Sequence, residues 1–366
     1  MPESISNILK HNIIKRGEKF THLTMGPCKG SYSLSFNSLD KLYSHYQYSI
    51  LRTNNKYYIA EKAEQISQLV FDIDIKQELA PTKREEGELM LESAEEKQKK
   101  LPKLYTKEVV VKFIKIVNHL LKKHINLDDK MLTSVWLCKN PYEKKNFVKH
   151  GFHVQFPYIF LDKNEYNSII LPKIIDLVQQ NNLFKSVKHK LLTSNYNYDV
   201  DKAAMTNNWL LYGSIKDDFS GVYEVKSIFD NYVNEISPIE AFSEYKLYRS
   251  NRKLIPLDTE ELIKRNYPRI LSIISMWRKK SIIRINNFSE AVQVVPENSF
   301  LDSKSEHKKM TPIETLNLLE KIMPLLSKER SDDFDKWMRA GWALHSITKG
   351  SIEGYKYWLE FSKKSR

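Results

Sequence analysis

The sequence contains few cysteines, glycines and prolines and has no long apolar run. Its two cysteines, Cys28 and Cys138, are too few for a zinc ribbon or a secreted disulfide scaffold, so a reducing, intracellular compartment is expected. Only 10 glycines and 13 prolines exclude collagen-like and proline-rich fibrous proteins. No stretch approaches about 18 consecutive apolar residues, and the N-terminus lacks the apolar region of a signal peptide, so no membrane association is expected.

The composition favours a folded, basic protein. With 366 residues, 41% of them hydrophobic, the chain can bury a sizeable core and is long enough for two domains. There are 58 lysines and arginines against 45 acidic residues, which gives a net charge of +13. A polyanionic partner explains this surplus, and so does a proteome rich in lysine, asparagine and isoleucine. Composition leaves both explanations open.

Charge and periodicity divide the chain into parts. Residues 83–103 contain six acidic and six basic residues and few apolar ones, so residues 76–105 are predicted to be an exposed, charged insertion. Apolar residues at three- and four-residue steps predict a helix over 106–125 and three further helices after residue 311. Residues 231–305 show no such pattern and are predicted to be a connector with short helices.

Two aspartates, Asp72 and Asp74, alternate with apolar residues in the sequence FDIDI. Residues two apart on a strand share a face, so the two carboxylates are expected to lie side by side. Their mutual repulsion is relieved by a hard divalent cation such as Mg²⁺ or Mn²⁺. An edge strand with two solvated aspartates is the alternative. The same spacing recurs, without an apolar strand around it, at Asp199/Asp201 and Asp333/Asp335.

A second group lies in the sequence KHGFHVQFP, where strand alternation places Lys149, Gly151 and His153 on one face. The glycine allows a bulky group to approach the backbone, while the lysine and histidine can donate to phosphate. A purely structural histidine is the alternative. The later sequence YDVDKAAMTNNWLLYGSIK adds two aspartates and Lys216, and by itself it indicates only a turn followed by a strand.

Taken in order, these groups resemble the motifs of archaeo-eukaryotic primases. Hydrophobic-Asp-x-Asp, small-x-His and hydrophobic-Asp match VFDID, GFH and VD here. Over roughly residues 20–225 the chain is most similar to the primase half of the primase-helicases of nucleocytoplasmic large DNA viruses. From Trp337 onward it resembles the small helical domain that joins that primase to a superfamily 3 helicase. The chain has no G-x-x-x-x-G-K-[ST] phosphate loop, so the helicase is expected C-terminal to it.

The resemblance implies an α+β fold. A catalytic domain over residues 1–230, similar to the RNA-recognition motif (RRM) and extended by an N-terminal module, would be followed by an all-α domain over 306–366. The resemblance also assigns roles to individual residues. Two Mg²⁺ or Mn²⁺ ions would be held by Asp72, Asp74 and Asp201, and the incoming nucleoside triphosphate by His153, Lys149, Gly151 and Lys216. Many relatives have serine in place of this glycine.

The predicted function is that of a DNA primase or primase-polymerase. Such a nucleotidyltransferase makes primers on single-stranded DNA during viral DNA replication, in the host cytoplasm or nucleus. One alternative is a catalytically degenerate DNA-binding or helicase-loading module, and another is a metal-dependent nuclease. A tyrosine-type replication initiator usually needs a His-x-His pair, which is missing at His153. Oligomeric state and the choice between ribonucleotides and deoxyribonucleotides are not predicted.

Overall fold

A computed structural model describes residues 4–15, 17–26, 29–52, 56–81, 101–217, 221–274, 312–348 and 350–365. They form two compact units, one within Met1–Val294 and one within Val295–Arg366. The first unit combines antiparallel sheets with helices, and the second has only helices in its described part. The fold class is therefore α+β, as predicted. No helix among the described residues is long and apolar enough to cross a membrane.

An eight-stranded antiparallel sheet organises the first unit. Its strands are β4 (Ile66–Leu79), β5 (Ser134–Cys138), β6 (Tyr142–Lys144), β7 (Phe147–Lys149), β8 (Phe152–Asp162), β9 (Leu192–Val200), β11 (Glu224–Phe229) and β12 (Glu235–Ile236). They pair in the order β12-β11-β5-β8-β4-β7-β6, with β9 also paired to β4. Strands β8 and β7 follow one register along β4, because Asp72 lies opposite His153 and Lys76 opposite Lys149.

Helices α3 (Lys107–His124) and α5 (Leu171–Gln180) cover one face of this sheet. The apolar stripe of α3 is buried there, and Phe113 meets Phe71 of β4 edge to face with ring centroids 5.5 Å apart. A second helical segment, which begins at Asp162, is interrupted. Its N-cap is Asp162, and it runs through α4 (Lys163–Glu165) and a π-helical turn (Tyr166–Ile170) into α5.

A second sheet and its helices lie against the opposite face. The order of this four-stranded sheet is β10-β3-β1-β2. Val135 and Leu137 of β5 share a hydrophobic cluster with this layer, whereas Phe71 belongs to the cluster under α3. The elements are β1 (His22–Thr24), β2 (Gly30–Tyr32), β3 (Ile59–Lys62), β10 (Asn208–Leu210), α1 (Ile5–His11), α2 (Phe36–Arg52), α6 (Pro238–Phe242), α7 (Glu260–Arg265) and α8 (Tyr267–Ile270).

The predicted connector differs from the structure over its described part, residues 231–274. Helices α6, α7 and α8 contribute buried side chains to the second cluster. Arg269 is fully buried, and its guanidinium donates to Asp40 Oδ1 at 3.0 Å and to Ser44 Oγ at 2.9 Å in α2. Burial lowers the pKa of Arg269 to about 10, against the opposing charge of Asp40. Residues 231–274 are therefore part of the first unit, and residues 275–305 lie outside the described residues.

The charged insertion predicted over residues 76–105 is shorter in the structure, because both of its ends belong to the fold. Strand β4 continues to Leu79, and both Leu104 and Tyr105 are buried in the main core. Residues 82–100, which carry most of the charge, lie outside the described residues.

Helices make up the described part of the second unit. They are α9 (Pro312–Ile322), α10 (Lys328–Asp332), α11 (Phe334–Ile347) and α12 (Ile352–Ser362), with a 3₁₀ turn at Met323–Leu325. The three amphipathic helices predicted after residue 311 correspond to α9, α11 and α12. Trp337 of α11 stacks on Trp358 of α12 with centroids 4.7 Å apart, and its indole N–H donates to Ser362 Oγ at 2.7 Å.

Candidate active site

Asp72 and Asp74 lie on β4, the strand at the centre of the larger sheet. Their neighbours Phe71, Ile73 and Ile75 are buried in the core under α3. Since side chains alternate along a strand, both carboxylates point to the opposite face, toward the smaller sheet. The predicted side-by-side arrangement is therefore present in the structure.

His153 lies directly across from Asp72, on β8. Its Nε2 is 3.3 Å from Asp72 Oδ1, an atom that is buried and has no well-oriented hydrogen-bond donor. The imidazole stacks on Tyr223, with centroids 3.6 Å apart, and packs against Trp209 at 4.4 Å. The two aromatic rings therefore fix the orientation of the histidine beside the carboxylate.

The two carboxylates differ in their electrostatics. Burial acts to raise the pKa of Asp72, but His153, Lys139 and Lys216 together hold it below its usual value. Partial burial and the charge of Asp72 raise the pKa of Asp74, against the opposing effect of Lys149. The surroundings of Asp72 thus favour its ionised form, whereas those of Asp74 disfavour its ionised form. A cation between them would relieve that repulsion.

Gly151 follows the same register and lies opposite Asp74. A Cβ atom at this position would be 2.5 Å from the carbonyl oxygen of Ile73 and 3.2 Å from Asp74 Oδ1. The close approach leaves no room for a side chain at this position, which explains why it is a glycine. The backbone of this segment is also held by Tyr105, whose hydroxyl donates to the Gly151 carbonyl at 3.2 Å.

Asp201 comes one residue after β9, on the other edge of β4. Its backbone N–H donates to the carbonyl oxygen of Asp72 at 2.9 Å, so the two residues are neighbours. Its carboxylate accepts from the N–H of Ala203 at 2.8 Å. Asp199, which was not among the predicted metal ligands, lies directly opposite Asp74. Within the described residues, no three His, Cys, Asp or Glu side chains are grouped closely enough to hold a metal ion by themselves.

Several lysines surround the carboxylates. Lys149 and Asp199 line a cavity of about 370 Å³ beside Asp74. Lys216 lies close enough to Asp72 to lower its pKa. Sequence reasoning missed Lys139, which follows β5. Its position beside the carboxylates follows only from the pairing of β5 with β8, which places Leu137 opposite His153.

The donor set fits a hard divalent cation. Asp72 and Asp74 present carboxylate oxygens in one row, and the buried Asp72 Oδ1 has His153 Nε2 at 3.3 Å but no well-aligned hydrogen bond. Mg²⁺ is commonly bound by one or two carboxylates, with substrate phosphates and water completing its coordination. Two protein carboxylates therefore suffice to start such a site. Asp201 is a backbone neighbour of Asp72, but its carboxylate is not grouped with this pair as a third ligand among the described residues.

Comparison with known proteins agrees with this geometry. The family model described as "C962R protein N-terminal AEP domain", where AEP stands for archaeo-eukaryotic primase, matches residues 21–229. The model "Primase C terminal 2 (PriCT-2)" matches residues 319–366. The first match contains every candidate site residue and includes both sheets up to the end of β11.

Longer viral proteins are similar to almost the whole chain. "Putative helicase 121R" of Invertebrate iridescent virus 3 is 26% identical over 94% of the chain. "Putative helicase L207/L206" of Acanthamoeba polyphaga mimivirus is 23% identical over 95% of it. In each case the chain spans 35% of the length of the relative. With the AEP-domain model matching more than half of its residues, the chain belongs to the archaeo-eukaryotic primase superfamily, in the branch of the primase-helicases of large DNA viruses.

Proposed function

We propose that this chain is a DNA primase that joins nucleotides on a single-stranded DNA template, with or without the longer synthesis of a primase-polymerase. The observation that carries the proposal is the pairing of Asp72 with His153 across β4 and β8, with Asp74 in the same row and Asp201 bonded to the backbone of Asp72. The arrangement combines anionic ligands for a cation with a donor for phosphate.

The chain's own residues would mainly position the reactants. Asp72, Asp74 and Asp201 would hold two Mg²⁺ or Mn²⁺ ions, and His153 would donate from Nε2 to a phosphate oxygen. When bound, the ions would lower the pKa of the attacking 3′-hydroxyl and neutralise the charge of the triphosphate and the leaving pyrophosphate. Lys149 and Lys216 would bind further phosphate oxygens. Little covalent chemistry remains for the protein, so orientation and charge provide most of the rate.

The wider setting is also proposed from the family. The larger sheet with α3 and α5 would be the RRM-like catalytic core, and the helical unit would link it to a helicase in a longer protein. The names of the relatives support a helicase partner. The net charge of +13 suits a single-stranded DNA template. Such a protein would act where viral DNA is replicated inside the host cell.

Nucleotide incorporation by matched variants tests the proposal. Labelled nucleotide, single-stranded template and Mn²⁺ are supplied to the wild type and to Asp72→Asn, Asp74→Asn and Asp201→Asn. Each variant should lose more than about a hundredfold in rate, since each removes a metal ligand. Asp176→Asn, on the exposed side of α5, is the matched control and should retain full activity. Asp199→Asn distinguishes the two neighbouring aspartates and should lose less than Asp201→Asn.

Binding of Mn²⁺, followed by electron paramagnetic resonance, gives a second readout. The Asp72→Asn variant should bind the ion at least about tenfold more weakly than the control. Full incorporation by both Asp72→Asn and Asp74→Asn would refute the two-metal mechanism. A wild type that binds template but incorporates no nucleotide would favour the degenerate DNA-binding module.

A further inference from the structure

Lys139 is held in an aromatic clamp beside the candidate active site. Its ammonium lies 4.5 Å from the ring centroid of Tyr223 and 4.9 Å from that of Tyr142. It makes no ion pair with any carboxylate among the described residues. Burial lowers the pKa of Lys139, and the charges of Asp72 and Asp74 act in the opposite direction. A half-buried ammonium held by rings, and not by an acid, remains available for an anionic ligand.

The placement of this lysine follows from the sheet. Leu137 lies opposite His153 on β8, so Lys139, two residues later, comes to the level of Gly151 on the same face. Gly151 has no side chain to block this space. Tyr223 meanwhile stacks on His153, so that one ring touches both the lysine and the histidine. The two cationic donors are thereby arranged around a common tyrosine.

Charge balance identifies the ligand class. Divalent ions would neutralise the negative charges of Asp72, Asp74 and Asp201. A nucleoside triphosphate adds about four further negative charges, which the site must also neutralise. A lysine near Asp72 and Asp74 would ordinarily fold onto them and occupy the place of a cation. The rings of Tyr142 and Tyr223 bind the ammonium through cation–π contacts instead, which leaves the carboxylates available to bind a metal ion.

We propose that Lys139 binds the triphosphate of the incoming nucleotide, and that Tyr142 and Tyr223 hold its ammonium away from the metal-binding carboxylates. This inference rests on the proposed function and adds a residue to the nucleotide site. It makes Lys139 a substrate-binding residue and Tyr223 a positioning residue that acts through it.

The first test replaces the charge and keeps the length of the side chain. Lys139→Met should raise the KM for nucleotide by at least about tenfold, with kcat changed by less than about threefold, and weaken inhibition by inorganic tripolyphosphate equally. Lys112→Met, on the exposed side of α3, is the matched control. Unchanged KM and unchanged tripolyphosphate inhibition in Lys139→Met would overturn the inference.

The second test addresses the clamp. Tyr223→Leu should weaken Mn²⁺ binding several-fold, because the released ammonium competes for Asp72 and Asp74, whereas Tyr223→Phe keeps the ring and should bind as the wild type does. The double variant Lys139→Met with Tyr223→Leu should recover wild-type Mn²⁺ affinity. A double variant as weak as Tyr223→Leu alone would show that the tyrosine does not act through the lysine.

The two proposals fail in different ways. A wild type without nucleotide incorporation contradicts the proposed function. Direct calorimetric binding of tripolyphosphate to the wild type and to Lys139→Met then decides the role of the lysine independently, since it requires no turnover. Equal binding by the two proteins overturns it, and binding lost only in the variant supports it.

Discussion

Gly151 shows how a single residue can determine the geometry of the site. The space for its Cβ is already filled by the carbonyl oxygen of Ile73, at 2.5 Å. This oxygen belongs to the backbone of a paired strand, so it cannot move aside as the end of a flexible side chain can. Any side chain here would therefore push β8 away from β4 at the level of Asp74.

Gly151→Ala should consequently reduce nucleotide incorporation by more than about tenfold and destabilise the protein by about 1–3 kcal/mol. Steady-state kinetics and urea unfolding measure the two effects. Gly17→Ala is the control, because Gly17 has φ +98° and open space around it. That change should cost stability through backbone strain yet leave the reaction rate unaltered. Wild-type activity in Gly151→Ala would contradict the close approach.

Two buried histidines make the first unit sensitive to acid. Burial lowers the pKa of His150 to about 4, with a smaller effect from Lys103, and burial alone lowers that of His22 to about 3. The Nδ1 atom of His150 accepts the N–H of Leu104 at 3.0 Å, so only the neutral ring fits. A folded pKa below the unfolded value of 6.5 gives stability that is complete above pH 6.5 and is lost as the pH falls.

Between pH 7.5 and pH 5, each of these histidines should cost the folded state about 2 kcal/mol. Urea unfolding at a series of pH values measures the loss. His150→Gln removes one titrating ring and should flatten the curve over this interval, even though its stability at pH 7.5 is lower. A variant curve parallel to that of the wild type would show that His150 is not held neutral.

The alternating pattern of one strand predicted the Asp72/Asp74 pair, and the family resemblance supplied the candidate residues on other strands, but residues outside the family motifs were missed. Asp72 and Asp74 were predictable because one strand contains both, and their neighbours are apolar. Lys139 and Tyr223 were not, since their nearness to His153 depends on how β5, β8 and β11 pair. No local pattern around Lys139 encodes that pairing.

At the scale of secondary-structure elements, α11 and α12 depend on one close helix crossing. A Cβ at Gly341 would lie 2.6 Å from the indole Nε1 of Trp358. Trp358 also stacks on Trp337, so its ring has little freedom to move. Glycine thus allows the two helices to approach more closely than any other residue would.

Gly341→Ala should therefore loosen the helical unit by about 1–3 kcal/mol without changing the sheets. Hydrogen exchange followed by mass spectrometry should show faster exchange in α11 and α12, with unchanged protection in β4 and β8. Ala343→Gly, at an exposed position of the same helix, offers a control for helix propensity alone, with an expected cost of about 1 kcal/mol. Equal protection in Gly341→Ala and wild type would contradict the tight crossing.

Long periodic helices were predictable, and short ones were not. The apolar stripe of α3 spans five turns, so its period is evident in the sequence. Helices α7 and α8 have six and four residues, too few to show a period. Their burial depends on contacts with α2, which lies about two hundred residues away in the chain. The sequence therefore predicted short helices in this region but not their burial in the first unit.

For the whole molecule, the surplus of 58 basic over 45 acidic residues predicts a salt-dependent affinity for single-stranded DNA. Binding through about five phosphates would weaken about a hundredfold between 50 and 200 mM salt. Fluorescence anisotropy with a labelled oligonucleotide measures this dependence, and a neutral peptide nucleic acid of the same sequence is the control ligand. An affinity independent of salt would point to a partner other than a polyanion.

Arg269 has a consequence for the order in which the molecule is completed. Its guanidinium pairs with Asp40, 229 residues earlier in the chain. At translation rates of about 5–20 residues per second, Asp40 is synthesised roughly 10–45 s before its partner. Until then α2 lacks the helices that cover it. In the nascent protein, this face of α2 therefore cannot be buried until residues 260–270, which follow the strands of both sheets, have been synthesised.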